Sequence, residues 1–310
     1  MVKTVVLGKI NWDTSLFLDR FPKSGEEVVV NRIVRVPGGK AGNTAVASAR
    51  LLGPTKVAIL GGLGKDSIGA EQVKIFEKEG VLTSGLKFSE EAESGQAYIT
   101  IDAKGANIIH TYAGANVTIT PADLDEPVRR GLISEAAVVS IMDPPFETAM
   151  KLAETAKVFG KVVAWDPGVI ARLGITKVRG LLMNVDYLIA NEHESADLAG
   201  ITNPDDAAKK LLDVNKEMRV VVKLGEKGCI MYAGEKRTAL PNLDLSHAGL
   251  KVVNTVGCGD AFLGAFTAAV SEGLSDLDAL RWGNCAGGLK ATRLETRGSP
   301  TREMLLKHLQ

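Results

Sequence analysis

The chain has 310 residues, 45% of them hydrophobic and 24% charged, enough to bury one large core or two modest ones, with no composition typical of disorder. Its 37 basic and 37 acidic residues cancel, which removes the overall positive field that would recruit nucleic acid or an anionic membrane. No segment approaches twenty apolar residues, and the apolar run in MVKTVVLGKINWD is too short for a signal peptide. Cys229, Cys258 and Cys285 are odd in number and lack CxxC spacing. The expectation is a cytoplasmic protein without a disulfide framework or a cysteine zinc site.

Short β-branched runs alternate with helical patterns from the start: TVVLG, then AGNTAVASARLLG, then KVAILGG, then DSIGAEQVKIFEKEG. The alternation resumes with AAVVSIM, FETAMKLAETAKVFG, KVVAWD, VDYLIAN and MRVVVKLG. Such a pattern implies a mostly parallel sheet covered on both faces, in a single α/β domain over residues 1–310. Two segments interrupt it. EEVVVNRIVRV (Glu26 to Val36), and the pair QAYITID and NIIHTY joined by a turn at Ala103 to Ala106, read as antiparallel strands with no helix between them. They predict a small projecting sheet, with strands inside about 9–36 and 94–113, which beside the main strand ends would form a lid that excludes water. An edge extension or a homodimer interface is the competing reading of the same strands.

Near the C-terminus, VVNTVGCGDAFLGAFTAAV places two glycines and an aspartate directly before a helix with almost no polar face. Backbone N–H groups at a helix start have no partner within the helix, and glycines let a ligand approach them. Gly257, Cys258 and Gly259 therefore form a candidate anion cradle, at the end of a helix buried enough to reach the carboxyl ends of the strands. Asp260, in the first helical turn, is positioned to take a proton from a hydroxyl while the cradle holds charge developing on a transferred phosphoryl group. The plainer reading of Asp260 is a helix N-cap after a glycine turn. Other phosphate motifs fail: in the stretch around GGLGKDSIG, Ile59 stands where a Walker loop needs its first glycine and Asp66 where it needs Ser or Thr. No HExxH, GxSxG or close His/Cys/Asp cluster occurs.

VPGGKAGNTAVASARLLG (Val36 to Gly53) resembles the N-terminal signature of the ribokinase-like, or PfkB-type, carbohydrate kinases, and NTVGCGDAFLGAF resembles their C-terminal signature. GGLGKDSIG, YAGAN (Tyr112 to Asn116), NEHE (Asn191 to Glu194) and KLGEKG (Lys223 to Gly228) fall between them in the family's order, so the likeness spans nearly the whole chain. It implies a ribokinase-like three-layer sandwich with a mostly parallel central sheet and a small β-sheet lid. It also implies a nucleotide-dependent kinase that phosphorylates a hydroxyl of a small sugar or sugar phosphate, with a ribose-type acceptor, ribose 1-phosphate included, as the first candidate.

The same resemblance assigns roles by position. Asp260 matches the catalytic base, with Gly257, Cys258 and Gly259 as the anion hole. Gly38, Gly39 and Asn43 match the surface on which the sugar lies, and Asn11 with Asp13 the polar pair that binds its hydroxyls. Asn191 and Glu194 match an NxxE motif that organises Mg²⁺ and phosphate through water. Lys223, Gly225 and Gly228 resemble the loop under the nucleotide phosphates, and Asn284 lies where the last helices flank the adenine. The implied cofactors are ATP, or ADP as an alternative donor, and Mg²⁺. Plainer rivals exist: a solvated turn for Asn11 and Asp13, a tight turn for Gly38-Gly39, a helix start for Asn191 and Glu194, a hairpin closure for Gly225 and Gly228. His193 reads as a surface residue, and Trp12 and Trp165 as core.

Three features bear on the acceptor. Asn254 replaces the Asp that usually opens the C-terminal signature and often belongs to a monovalent cation site, which leaves potassium use open. Asn at this position, together with the GGK of Lys40, recurs in the branch that phosphorylates sugar phosphates. An acceptor phosphate needs fixed positive charge, for which Lys40, Arg32, Arg35 and Arg172 are candidates; contact with a neutral sugar is the other reading of Lys40. Asp166-Pro167-Gly168 departs from the family's more usual Asn at its third position. A nucleoside kinase of the same fold is the runner-up, with only Tyr98, Phe88 and Tyr112 near the lid to clamp a base. The alternative from another class is a non-catalytic sugar- or nucleotide-binding regulator, which would have no use for a base such as Asp260.

Overall fold

The run TVVLG becomes strand β1 (Thr4–Gly8), buried at every residue, in the computed structural model, which describes residues 1–309. After it come β2 (Asn11–Phe17), β3 (Arg32–Gly38), α1 (Lys40–Leu52), β4 (Val57–Gly64), α2 (Ser67–Lys78), β5 (Val81–Leu82) and β6 (Leu86–Ser89). Next are β7 (Gly95–Ile101), β8 (Asn107–Tyr112), α3 (Pro127–Glu135), β9 (Val138–Met142), α4 (Phe146–Val158), β10 (Val162–Asp166), α5 (Gly174–Leu182), β11 (Tyr187–Asn191), α6 (Glu192–Ala199) and α7 (Pro204–Leu212). The chain ends with β12 (Arg219–Lys223), β13 (Cys229–Ala233), β14 (Lys236–Leu240), α8 (Cys258–Ser271), α9 (Asp276–Ala291) and α10 (Arg302–His308).

Ten strands form the main sheet in the order β14-β13-β12-β11-β10-β9-β1-β4-β5, with β6 also on β4. All pairs are parallel except the β12-β13-β14 meander. Side chains alternate between its faces, as strand geometry requires. Val5 and Leu7 pack with Leu152, Leu181 and Leu211 of α4, α5 and α7. Val6 faces the opposite layer, with Ala45 of α1, Phe266 of α8 and Leu280 of α9. The result is a helix–sheet–helix sandwich. Helix α8 lacks a polar face because it runs between α1 and α9 against the sheet. The approach to α1 is so close that a Cβ on Gly264 would stand 2.6 Å from the Ala47 Cβ.

A second sheet of four strands, ordered β3-β2-β7-β8, stands apart from the first. The β7–β8 hairpin and the β2–β3 pair are antiparallel, but β2 and β7 are joined in parallel. Sequence reading missed both β2 as a separate strand and this parallel junction, which is possible because β3, α1, β4, α2, β5 and β6 lie between β2 and β7 along the chain and supply the crossover. It also began the Glu26 strand too early. Residues 26–31 form no strand, and β3 starts at Arg32, opposite Phe17. β2 ends at Phe17, so VVV finds no ladder partner beyond that point, and β-propensity alone does not make a strand.

Candidate active site

Strand order reverses around β1, which lies between β4 and β9, and the crevice beyond the carboxyl ends at such a reversal is the usual ligand site of an open α/β sheet. Lys9, Asp143, Asp166, Asn191 and Lys223 stand at or just past the ends of β1, β9, β10, β11 and β12. The small sheet, the start of α1 and the start of α8 contribute the rest.

One half of the crevice gathers Asn11, Asp13, Gly38, Gly39, Asn43 and Asp260. Asn11 and Asp13 are two apart on β2 and share one face of the small sheet. β3 crosses them so closely that a Cβ on Gly38 would collide with the Asp13 carboxylate, and Gly39 adopts φ 84°. The glycine pair is therefore both a required turn and the reason these polar groups stay uncovered. Asn43 Nδ2 donates to Asp260 Oδ2 at 2.7 Å. Arg297, buried and stacked over Phe76, donates through Nε to Asn43 Oδ1 (3.3 Å) and through Nη2 to the Gly38 carbonyl (2.8 Å). The cation fixes which way the Asn43 amide points, and so keeps its NH₂ group on Asp260. Asn116 braces the other side, accepting from the Ile10 N–H (2.8 Å) and donating to Asn11 Oδ1 (2.8 Å).

Burial pushes the Asp260 carboxyl above the usual aspartate range, against the pull of Lys40 and Asn43. Burial also lifts Asp13 to about 6; Arg297 opposes the rise and Asp260 adds to it. Arg297 is in turn drawn down to about 9 by burial, with Asp13 opposing. Two carboxylates of raised basicity thus share the crevice, Asp260 held in place by the Asn43 amide, an arrangement suited to accepting a proton.

The other half holds the lysines. The carboxylate of Asp166, 1% exposed, bridges Lys40 Nζ on Oδ1 (2.6 Å) and Lys223 Nζ on Oδ2 (2.6 Å). Burial would raise Asp166, but the two ammonium groups outweigh it and hold the carboxyl well below its ordinary value. Burial would likewise lower Lys40, and Asp166 and Glu194 instead hold it well above the usual lysine range. Glu194 Oε1 accepts from Lys40 at 3.1 Å. Its Oε2 accepts from the Asn191 N–H (2.9 Å) while Asn191 Oδ1 accepts from the Glu194 N–H (2.8 Å), a reciprocal cap on α6. The plainer helix-start reading of this pair is therefore met, and one Glu194 oxygen still faces the crevice lysine.

Gly257 caps α8 at φ 87°, and a Cβ on Gly259 would come within 3.3 Å of Lys223 Nζ, so the glycine keeps open a space between the helix start and a cation. That space fits an anion such as a nucleotide phosphate. Glu194, whose Oε1 faces the crevice and meets only the Lys40 ammonium, is the carboxylate that would hold Mg²⁺ there, largely through the several waters the ion retains. When bound it would supply charge neutralisation between phosphate oxygens. Glu194→Gln is accordingly expected to raise the Mg²⁺ concentration for half-maximal rate severalfold while leaving the acceptor KM nearly unchanged; an unaltered Mg²⁺ titration would leave Glu194 as a cap alone.

The remaining candidates fall outside this cluster or serve the fold. Gly225 and Gly228, both at positive φ, close the β12–β13 hairpin. Asn284 on α9 donates to the Pro241 carbonyl (3.1 Å), tying the chain after β14 to the helix layer. Arg32, Arg35, Arg172 and His193 are exposed, and Trp165 is core. Sequence reading gave no role to Arg297 or Asp143, and treated Asp166 only as part of an unusual DPG. Asp143, in the left-handed region at φ 57°, accepts from the Val169 N–H and pairs with Lys9. A polar residue at the end of a buried strand or directly after it was the available signal for Asp166 and Asp143.

Comparison with known proteins follows the same lines. The model for the pfkB family carbohydrate kinases matches residues 1–302. A ribokinase of Lactococcus lactis is 31% identical over 96% of this chain and 93% of its own. An ATP-dependent ribose-1-phosphate kinase of Halopiger xanaduensis is 30% identical over 100% of this chain and 98% of its own. Among solved structures, Arabidopsis thaliana ribokinase complexed with ribose and ATP superposes with a TM-score of 0.89 at 27% identity, covering 100% of this chain and 99% of that one. Signatures, fold and whole-length matches agree, and the chain belongs to the pfkB family of carbohydrate kinases.

Proposed function

We propose that the chain transfers the terminal phosphoryl group of a nucleotide to a hydroxyl of a ribose-type sugar, with Asp260 as general base. The observation that carries this reading is the Asp260 carboxylate itself: buried, oriented by Asn43, and set in the first turn of α8 beside the glycine cradle. An acceptor hydroxyl held by Asn11, Asp13 and the Gly38-Gly39 backbone gives its proton to Asp260 as its oxygen attacks. The first-turn N–H groups of Gly259 and Asp260, which have no intrahelical partner, hold the charge on the transferring group with Lys223 and Lys40, whereas the Cys258 N–H expected in the anion hole instead donates to the Thr255 carbonyl (3.2 Å). ATP is the favoured donor, since the Halopiger relative is named as ATP-dependent and the Arabidopsis ribokinase complex contains ATP and ribose.

The neutral sugar is favoured over a sugar phosphate because Lys40 and Lys223 are both engaged by Asp166, leaving little spare positive charge for a second phosphate. Two observations support ribose 1-phosphate as the second reading: the Halopiger relative, and Arg297, whose buried Nη1 has no partner among the described residues. A nucleoside acceptor fits less well, because Tyr98 and Tyr112 lie on the face of the small sheet opposite Asn11 and Asp13. The deciding experiment incubates purified protein with ribose, ribose 1-phosphate and nucleosides, each with ATP and with ADP, and detects the nucleotide product. No turnover of any acceptor would sink the kinase reading.

Lys40→Met separates the two sugar readings. On the leading one Lys40 serves the transferring phosphate, so catalytic efficiency falls about tenfold to hundredfold for neutral and phosphorylated sugars alike. A loss confined to the phosphorylated sugar would move the assignment to ribose 1-phosphate.

The small sheet acts in this scheme as a lid over the acceptor. Its opposite face exposes Ile33, Tyr98, Ile108 and Tyr112, an apolar surface that supports a homodimer through the lid. A nucleotide donor assigns the work to the cytoplasm.

A further inference from the structure

Lys290 belongs to neither half of the site, yet it is completely buried, 0% exposed, in the last turn of α9. Its Nζ donates to the carbonyl of Asn254 (2.9 Å) and to that of Arg293 (3.4 Å), and no carboxylate pairs with it among the described residues. Both carbonyls belong to the two loops that shape the cradle. Asn254 begins the segment leading into Gly257, and Arg293 begins the turn leading to Thr296, whose carbonyl oxygen packs against Gly257. The Asn254 side chain links the same loops, donating to the Leu294 carbonyl at 2.7 Å, and the N–H groups of Val253 and Asn254 both reach the Ala291 carbonyl at the end of α9. The Lys290 stem passes under the cradle, with its Cε 3.5 Å from where a Gly257 Cβ would be.

An ammonium held by two backbone carbonyls at a helix C-terminus is bound by the same kind of dipoles that hold a dehydrated potassium ion. Burying a lysine without a carboxylate is costly, and it persists here because two loops converge their carbonyls on it. A bound K⁺ does not fit these residues: the oxygens that would coordinate it already accept from Lys290, and the neutral Asn254 supplies no carboxylate. We propose that the Lys290 ammonium is a built-in monovalent cation that positions the loops of the glycine cradle, so that this enzyme does not depend on potassium there. Lys290 is then a positioning residue, acting on the transferring phosphate through the geometry of Gly257 to Gly259.

The inference does not rest on which sugar is the acceptor, because its main readouts need none. The full-length protein is compared in KCl, NaCl and choline chloride at equal ionic strength, by Tm and by ²⁰⁵Tl NMR with thallous ion as a potassium probe, and then by nucleotide KM. The wild type is expected to show the same Tm in all three salts within about 1 °C and no specific thallium binding. Lys290→Ala empties the carbonyl nest. In choline it should lose Tm and raise the nucleotide KM roughly tenfold or more, and KCl or NH₄Cl, but not NaCl, should recover much of both, with thallium now bound. A wild type that gains Tm specifically from K⁺ or binds thallium overturns the proposal. So does a variant unaffected in choline, or one whose losses no cation recovers, which would make Lys290 a simple strut. If Lys290→Ala does not accumulate as folded protein, the wild-type arm still decides.

Discussion

Asp260→Asn is expected to leave a folded protein whose turnover at saturating substrates is lower by about two to four orders of magnitude, the usual contribution of a positioned general base. The substitution is nearly isosteric, and the amide oxygen at position 260 can still accept from Asn43 Nδ2, which now meets the carboxylate at 2.7 Å. Only the ability to take a proton disappears. The pH profile gives an independent reading. Burial raises the Asp260 carboxyl, so its base form is lost at a higher pH than for an ordinary aspartate, and the neighbouring Asp13 is raised to about 6. The acid limb of kcat/KM should therefore fall above the usual carboxylate range, and in the variant the residual rate should lose the part of that limb that belongs to Asp260. Half the wild-type rate in Asp260→Asn would reduce the residue to a first-turn acid on α8.

Asp260 was legible in the sequence as a candidate because everything that singles it out is local: the glycines, the acid and the apolar helix lie within a dozen residues. Asn11, Asp13, Gly38 and Asn43 were legible through the family's order of motifs, and the crevice brings them together. What the sequence concealed is the wiring between distant residues. Asp166 meets Lys40 across 126 residues and Lys223 across 57, and Arg297 reaches Asn43 across 254. No periodicity records such contacts, since each partner taken alone is an ordinary polar residue at a strand end, in the first turn of a helix or in the C-terminal segment. Lys290 shows the same limit, because KATR at the end of a helix reads as a solvated last turn. The false strand start at Glu26 has the opposite cause: VVV has the right local propensity, and β2 ends at Phe17 and offers nothing to pair with.

That wiring makes Asp166→Asn the second change with a large expected effect, one that stability and binding should report with opposite signs. The carboxylate accepts from both lysines at 2.6 Å and is 1% exposed, so it neutralises two partly buried cations at once. Asparagine can accept from one ammonium through its oxygen but presents an NH₂ group to the other, leaving two donors face to face in a partly dry crevice. Breaking a buried pair in this way costs about 3–5 kcal/mol, which for a chain of this length lowers Tm by roughly 5–8 °C. The freed lysines, however, now carry uncompensated positive charge beside the cradle. A nucleotide's phosphates should relieve it, so the rise in Tm on adding nucleotide should be larger in Asp166→Asn than in the wild type. Tighter ground-state binding does not make a faster enzyme. Lys223 is no longer held near Gly259, the contacts to the transferring group lose their geometry, and kcat should fall at least tenfold while the nucleotide KM stays level or drops. A variant with wild-type Tm, or one whose nucleotide KM rises in step with the fall in kcat, would show that Asp166 does not hold the two lysines for the phosphates.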